Sequence, residues 1–181
     1  MRVHAAGTCK LHASVLTIGA LDGVHRGHQA LVCEARKRAL ALGVPLVVYT
    51  FDPPPRVFFQ QALQLTTVEE KLCRLEQLSV EHAIVASFDA AYSTRDESAF
   101  LTELQDLNPV EIWVGPDFRF GSKRGGDIGT LRESFSVKVL DSIRCSSGEI
   151  ISSSRIRSLL MQNCHLQAEQ LLGWQTVQGK A

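Results

Sequence analysis

The chain has 181 residues, of which 45% are hydrophobic, and its 19 basic and 19 acidic residues give a formal net charge of zero. This length suits one domain with a substantial hydrophobic core, so we predict a single domain over residues 1–181. The balanced charge argues against broad electrostatic binding to DNA or RNA, which needs a net basic face. No apolar run is long enough to span a membrane, so neither a nucleic-acid nor a membrane partner is predicted.

The five cysteines are scattered and include no C-x-x-C pair. A disulfide framework or a zinc knuckle would space them differently, so we interpret them as reduced thiols of a cytoplasmic protein. The N-terminal segment has Arg2 and Lys10, but its apolar stretch is interrupted by Thr17 and stops at Asp22. It therefore fits a first core strand better than a signal peptide.

The first predicted unit is a strand, a helix and a second strand. Apolar and β-branched residues predict a buried strand over 15–18, and residues 29–42 predict a helix that Gly43 and Pro45 end. The run 46–49 predicts the second strand, whereas residues 1–13 give no clear assignment. Such a βαβ unit implies a parallel sheet. The expected apolar face of the helix is Leu31, Ala35, Ala39 and Leu42.

The turn between this strand and helix is rich in glycine and histidine. Gly19, Gly23 and Gly27 allow positive φ or close approach of a ligand to the backbone. A helix start presents unpaired N–H groups, which suit phosphate. His25 and His28 are three residues apart, so both would face one side of a first helical turn. This arrangement favours chemistry on a phosphoanhydride; a zinc pair or a capping histidine is the alternative, and we predict no metal ligands.

Helices and strands continue to alternate along the rest of the chain. Further helices are predicted over 67–78, 96–107 and 165–173, with Thr66 or Thr67 capping the first. Further strands are predicted over 81–86, 111–115 and 136–140. The second of these helices is expected to bury Phe100, Leu101, Leu104 and Leu107. The fold class is therefore α/β, with a doubly wound parallel sheet and no visible boundary to a second domain.

Three further segments follow predicted strands or precede a helix. Residues 50–56 contain three prolines and predict a rigid, non-helical loop that forms one wall of a pocket. Residues 115–127 alternate Phe118 and Phe120 with Arg119, which suits a flat aromatic ligand. A hairpin with core phenylalanines is the alternative there, and residues 123–126 are either a lid over phosphates or a solvated turn.

The last of these segments, residues 151–160, is rich in serine and arginine. Its serines are N-cap candidates before an apolar helical pattern. Its hydroxyls, free N–H groups and two arginines also predict an anion site.

These segments together resemble a known family. His25-Arg26-Gly27-His28 matches the H-x-G-H signature of nucleotidyltransferases, and residues 19–29 resemble the first motif of bacterial FAD synthetases. Residues 115–127 match that family's G-x-D-F-x-F-G…G-D run. Residues 151–157 resemble its I-S-S-T-x-I-R run, with Ser154 in place of threonine. The chain departs from the family at Leu21, where phenylalanine is usual, and at Pro54, where histidine is usual.

The resemblance is to the FMN adenylyltransferase module of the bifunctional riboflavin kinase/FAD synthetase family. It implies a Rossmann-like nucleotidyltransferase fold that transfers AMP from ATP to the phosphate of FMN, giving FAD and pyrophosphate by in-line attack at the α-phosphorus. Because the second pKa of a phosphate monoester is about 6, the attacking oxygen is already mostly ionised and needs no general base. The enzyme must align two anions and stabilise the developing charge, with Mg²⁺ expected to accompany ATP.

The resemblance also implies the site residues. The predicted catalytic residues are His25, His28 and Arg157. The predicted ATP-binding residues are Gly19, Asp22, Gly23, Gly27, Ser152, Ser153 and Arg155. The predicted FMN-binding residues are Phe51, Pro53, Arg56, Asp117, Phe118 and Phe120.

Two alternatives stay open. One is another small-molecule nucleotidyltransferase, with pantetheine phosphate, nicotinamide mononucleotide or a polyol phosphate as acceptor. The other is a catalytically weak relative that only binds flavin or nucleotide, which the departures at Leu21 and Pro54 would allow. The chain ends soon after the last motif, so we expect the C-terminal riboflavin kinase domain to be absent and a separate riboflavin kinase to supply FMN.

Overall fold

A computed structural model describes residues 1–174 of the protein and shows an α/β fold. Its six-stranded sheet has the order β1-β4-β3-β2-β5-β6, and every neighbouring pair is parallel. The strands are β1 Arg2–Ala5, β2 Ser14–Ile18, β3 Leu46–Asp52, β4 His82–Ser87, β5 Pro109–Val114 and β6 Val137–Val139. The helices are α1 Arg26–Leu42, α2 Pro55–Gln60, α3 Val68–Gln77, α4 Ala90–Ser93, α5 Glu97–Gln105, α6 Ile128–Arg132, α7 Ser153–Met161 and α8 His165–Leu172.

Helices cover both faces of the sheet, because alternate residues of the central strands point to opposite sides. On one face, Leu16 of β2 packs in a cluster with Phe100 of α5. On the other, Val15 packs in a cluster with Val32 of α1 and Leu75 of α3. The predicted doubly wound parallel sheet is confirmed.

The strand order places a switch point between β2 and β5. From β2 the chain proceeds outward to β3 and β4 on one side, and it later returns to place β5 and β6 on the other. In open parallel sheets, ligands bind in the crevice beyond the carboxyl ends of the strands at such a point. The glycine-rich turn follows β2 and Gly115 follows β5, so both segments lie at this crevice.

The main predicted elements are present with small shifts of their bounds. Helix α1 begins at Arg26, three residues earlier than expected, because the His25 side chain caps it. The predicted cap of α3 is confirmed, since Thr67 and Glu70 form a reciprocal capping box. Asp96 lies just before α5 and accepts a hydrogen bond from the backbone N–H of Ala99.

Three parts of the fold differ from the sequence predictions. Residues 2–5, which had no assignment, form the edge strand β1, whose mostly exposed side chains give no core pattern. The three-proline loop was predicted to be non-helical, but Pro55 opens α2, where its missing N–H is tolerated. Leu42 was expected to be buried and is 43% exposed, whereas Val32 is fully buried.

Membrane insertion has no support in the helices of residues 1–174. None of them combines the length and the apolar character needed to cross a bilayer.

Candidate active site

Two neighbouring pockets lie at the crevice. The first, here called the histidine pocket, has about 690 Å³ of empty space and is lined by His25, His28, Gly19, Gly115 and Asp117 among others. The second, the aromatic pocket, has about 720 Å³ and is lined by Phe51, Phe88, Tyr92, Phe100 and Phe120 among others. Phe118 lines the first pocket and Phe120 the second, and their stacked rings lie 5.7 Å apart between centroids. The segment that carries these two rings therefore separates the pockets.

The loop between β2 and α1, residues 19–25, has an unusual backbone. Gly23 has φ 83°, which glycine adopts readily, but Leu21 at 48° and Val24 at 40° are also in the left-handed region. Each such non-glycine residue costs on the order of 1–3 kcal/mol and persists only where its surroundings hold it. Leu21 and Val24 are both buried in the core, which holds their side chains in place.

Side-chain donors from distant parts of the chain hold the carbonyl oxygens of this loop. Lys71 Nζ of α3 donates to Ala20 O at 3.0 Å and also to Phe51 O at 2.8 Å. Arg74 Nη1 donates to Gly23 O at 2.8 Å. Burial lowers the pKa of Lys71 to about 8, so it still carries its charge near neutral pH.

A buried ion pair fixes the same loop to α7. Asp22 is 2% exposed, and its carboxylate accepts hydrogen bonds from Arg157 and from the backbone N–H of Leu65 at 3.0 Å. Arg157 Nε donates to Leu63 O at 2.6 Å. Ser153 Oγ, at the start of α7, donates to the carbonyl oxygen of Asp22 at 2.9 Å. The serine- and arginine-rich segment thus packs directly against the glycine- and histidine-rich turn.

His25 is 5% exposed and lines the histidine pocket. Its Nδ1 accepts the backbone N–H of His28 at 3.4 Å, which leaves the ring proton on Nε2. Burial, with a smaller effect from Arg157, lowers its pKa to about 4. His25 is therefore a neutral imidazole at pH 7 with one N–H available as a donor.

His28 stacks on His25, with 3.6 Å between ring centroids. Burial, then the neighbouring His25 and Lys71, holds its pKa well below the usual value. Its Nδ1 is buried and has no hydrogen-bond partner among residues 1–174. A Cβ on Gly27 would lie 3.1 Å from Cε1 of His25, so a side chain there would require the ring to shift by a few tenths of an ångström. Both imidazoles are therefore neutral groups that can bind anions by hydrogen bonding and not by charge.

The aromatic pocket is built from rings at the ends of β3 and β4 and from the segment after β5. The ring of Phe88 packs edge-on against Phe51 at 5.9 Å and contacts Tyr92 at 5.6 Å between centroids. Phe120 pairs with Gly126 in an antiparallel bridge, and a Cβ on Gly126 would lie 2.6 Å from the Phe120 ring. Phe120 is thus buried as a hairpin residue and also lines the pocket, which combines the two interpretations of this segment.

The basic residues within this hairpin lie at the aromatic pocket. Lys123 and Arg124 form a short 3₁₀ turn and line that pocket, with no place in the lining of the histidine pocket. Arg119 pairs with Asp127 at 2.7 Å.

The structure brings some of the predicted site residues together at the pockets. Gly19, His25, Gly27, His28, Asp117 and Phe118 line the histidine pocket, and Phe51 and Phe120 line the aromatic pocket. The remaining predicted site residues line neither pocket; they are Asp22, Gly23, Pro53, Arg56, Ser152, Ser153, Arg155 and Arg157.

Several of these remaining residues have partners within the protein. Ser152 caps α7 by accepting from the backbone N–H of Arg155. The Arg155 side chain pairs with Glu149 and donates to Cys145 Sγ at 3.1 Å. Arg56 donates to Ser154 Oγ. Direct contact of these residues with a substrate stays a prediction.

Sequence reasoning missed two contributors to the site. Phe88 follows β4 at the same edge of the sheet, so its position after a predicted strand could have indicated it. Lys71 lies inside an amphipathic helix, where lysine usually faces solvent, and nothing in the sequence distinguishes it.

The similarity of the chain to known proteins agrees with this geometry. Residues 8–155 match the family model described as FAD synthetase. The chain belongs to the FAD synthetase family. It is 49% identical over 175 residues to a Geobacillus thermodenitrificans protein provisionally named a bifunctional riboflavin kinase/FMN adenylyltransferase, covering 96% of this chain and 98% of that protein.

Longer relatives carry the same name. The bifunctional riboflavin kinase/FMN adenylyltransferase of Haemophilus influenzae is 34% identical over 90% of this chain and 56% of its own length. That of Escherichia coli K12 is 32% identical over 94% of this chain and 58% of its own length. The chain therefore spans just over half of these two FAD synthetase relatives.

Solved structures support the predicted fold. A Streptococcus pneumoniae structure described as a macrolide-efflux protein has a TM-score of 0.84 at 25% identity, covering 96% of this chain and 62% of its own. Pantothenate synthetase from Thermus thermophilus has a TM-score of 0.55 at 15% identity, and the match covers 95% of this chain and 82% of that one. This match shows a similar fold alone.

The buried pair of Asp22 and Arg157 predicts a strong non-additive effect on stability. Replacement of Arg157 by Met leaves the Asp22 carboxylate buried without its cation and should lower the free energy of unfolding by roughly 3–5 kcal/mol. The double variant D22N/R157M should recover much of this loss in urea unfolding. R38M, which breaks a more exposed pair with Glu111, is the matched control and should cost less. Equal losses in R157M and R38M would contradict the assignment.

The lowered pKa of His25 predicts acid sensitivity. The unfolded chain binds a proton near pH 6.5 and the folded protein only near pH 4, so stability is lost as pH falls through this window. At pH 5 the loss due to His25 is on the order of 2 kcal/mol. H25Q, which cannot titrate, should show a correspondingly smaller drop between pH 7.5 and pH 5 in urea unfolding. The same drop in both proteins would rule out a neutral buried His25.

Proposed function

We propose that the protein is an FMN adenylyltransferase, which transfers AMP from ATP to the phosphate of FMN and releases pyrophosphate. The observation that carries this proposal is the pair of pockets at one sheet edge, separated by the segment of Phe118 and Phe120. One pocket contains a helix start and two imidazoles, which suit a triphosphate. The other is lined by aromatic rings, which suit a flavin ring. The two substrates would thus meet at the shared wall.

The histidine pocket would bind ATP through neutral donors. His25 presents its Nε2–H from a ring that its own Nδ1 contact holds in place. His28 lies against it at the start of α1. Fixed donors aimed at the phosphates lower the barrier, because they need no reorganisation as charge develops at the α-phosphorus. Because the pKa of His25 is about 4, below the value of about 6 for a phosphate monoester, this ring does not compete for the proton of the acceptor phosphate.

The donor groups of the histidine pocket also fit Mg²⁺ bound with ATP. Asp117 and Asp141 are carboxylates that line it, and oxygen ligands are those that Mg²⁺ prefers. These two residues would hold the ion, which when bound offsets the negative charge of the phosphates.

The aromatic pocket would take the flavin ring of FMN. Its walls include Phe51, Phe88 and Tyr92, and Tyr92 is itself fixed by a 2.8 Å hydrogen bond between its hydroxyl and that of Tyr49. Lys123 and Arg124 line the same pocket and supply positive charge, whereas Arg119 there is paired with Asp127. We therefore assign FMN binding to these walls, and with it the predicted contacts of Phe51 and Phe120.

The wider setting follows from the same assignment. We propose that residues 1–181 form one adenylyltransferase domain that acts in the cytoplasm on FMN supplied by a riboflavin kinase. The names of the relatives, which join both activities, support this pairing of reactions.

A direct assay tests the activity and the role of His28. The protein is incubated with ATP, Mg²⁺ and either FMN, pantetheine phosphate or nicotinamide mononucleotide, and pyrophosphate and FAD are measured. We expect FAD from FMN and no reaction with the other acceptors. H28A should lower kcat by about two to three orders of magnitude, because it removes a preorganised donor.

The matched control for H28A is H12A, which changes an exposed histidine and should leave kcat unaltered. Turnover of another acceptor in place of FMN would favour a different nucleotidyltransferase. Tight FMN binding with no FAD at saturating ATP would favour a binding protein. An H28A kcat within a few-fold of wild type would contradict the role of His28.

The aromatic pocket makes a separate prediction about substrate affinity. F88A removes the ring that contacts Phe51 and Tyr92, so it should raise the KM for FMN by roughly tenfold, equivalent to about 1–1.5 kcal/mol of ring contacts. The KM for ATP, measured on the same sample, should stay unaltered. Equal changes in both KM values would show that Phe88 supports the fold and not the flavin.

A further inference from the structure

Three metal-ligating side chains meet away from both pockets. His4 lies on the edge strand β1, His82 is the first residue of β4, and Cys9 follows the turn after β1. Their ligand atoms all lie within 4.8 Å of one another. The pockets lie beyond the opposite, carboxyl ends of β2 and β5. This cluster is therefore separate from the machinery assigned to adenylyl transfer.

The strand register explains how the two histidines meet. Arg2 pairs with His82, and His4 pairs with Ile84. His4 and His82 therefore project from the same face of the sheet and are offset by two residues along the strands. Cys9 is 5% exposed and packs in the same core cluster as Ile84, which is on that face. Both histidines are only partly buried, which leaves a path for an ion from solvent.

The spacing of the nitrogens fits a tetrahedral ion. His4 Nε2 and His82 Nδ1 lie 3.0 Å apart. Two nitrogens that bind one zinc ion at about 2.0–2.1 Å are roughly 3.3 Å apart, so a small rotation of either ring suffices. In the metal-free protein one proton lies between these nitrogens. An ion would replace it, and each ring would then carry its proton on its other nitrogen.

The donor set selects the class of ion. One thiol and two imidazoles suit zinc, whereas Mg²⁺ and Ca²⁺ require oxygen ligands. Binding would release the proton of the Cys9 thiol, since the thiolate is the ligand.

We propose that His4, Cys9 and His82 bind a zinc ion, with water as the fourth ligand. The ion ties the short edge strand β1 and the turn that follows it to β4. Strand β1 has four residues and pairs with β4 alone, so it gains most from such a link. The ion stabilises the folded protein by mass action, because only folding brings His82 next to His4 and Cys9.

Titration with cobalt tests the site on the full chain, prepared without a histidine tag and stripped with chelator. Co²⁺ should give the visible absorption of a tetrahedral site and a thiolate-to-cobalt charge-transfer band. Both should saturate at one ion per chain and be lost on addition of Zn²⁺. At 100-fold excess over its Kd, Zn²⁺ should raise the Tm by roughly 5 °C or more.

Two ligand variants and one control complete the test. C9A should abolish the charge-transfer band, and H4Q, which changes a partly exposed side chain, should weaken Co²⁺ binding by about 100-fold or more. C73A, at an exposed cysteine, should bind as wild type does. Circular dichroism of each metal-free variant checks that it folds. Absence of the band in wild type, wild-type affinity in H4Q, or loss of the band in C73A would overturn the proposal.

Discussion

The hydrogen bonds from Lys71, Arg74 and Ser153 to the loop between β2 and α1 are the constraint on which the site depends. They hold the carbonyl oxygens of Ala20, Asp22 and Gly23 in a backbone that contains two non-glycine residues in the left-handed region. Together with the burial of Leu21 and Val24 in the core, these bonds oppose relaxation of the two residues to commoner conformations. The position of both histidines therefore depends on donors that no substrate needs to touch.

The charges beneath the loop also set the protonation of the site. Asp22 and Arg157 neutralise each other in the core, whereas Lys71 is buried among neutral oxygen acceptors of the backbone and Thr50. Lys71 and Arg157 each add to the effect of burial on a nearby histidine, and both imidazoles stay neutral. A neutral ring with one fixed N–H is a donor of defined direction, which a rotating charged group is not. Lys71 and Arg157 thus support the loop, whereas the two imidazoles line the histidine pocket as neutral donors.

Sequence patterns correctly predicted the parts of the fold that depend on residues close together in the chain. The alternation of strands and helices, the capping box at Thr67 and the family motifs around His25 all follow from neighbouring residues. What the patterns missed depends on distant contacts. Arg157 in its motif resembles an exposed anion-binding residue, and only the packing of α7 against Asp22 buries it. Pro55 resembles a loop residue until it is placed at the first position of a helix.

The bond between Asp22 and Arg157 joins residues that are 135 positions apart. All six strands precede Arg157 in the chain, so a ribosome has made every strand of the sheet before it adds the cation that Asp22 needs. A nascent chain at that point can pair its strands, but the Asp22 carboxylate in its core still lacks the guanidinium that bonds to it. The loop beside the histidine pocket therefore gains its contacts with α7 only after all six strands have been synthesised.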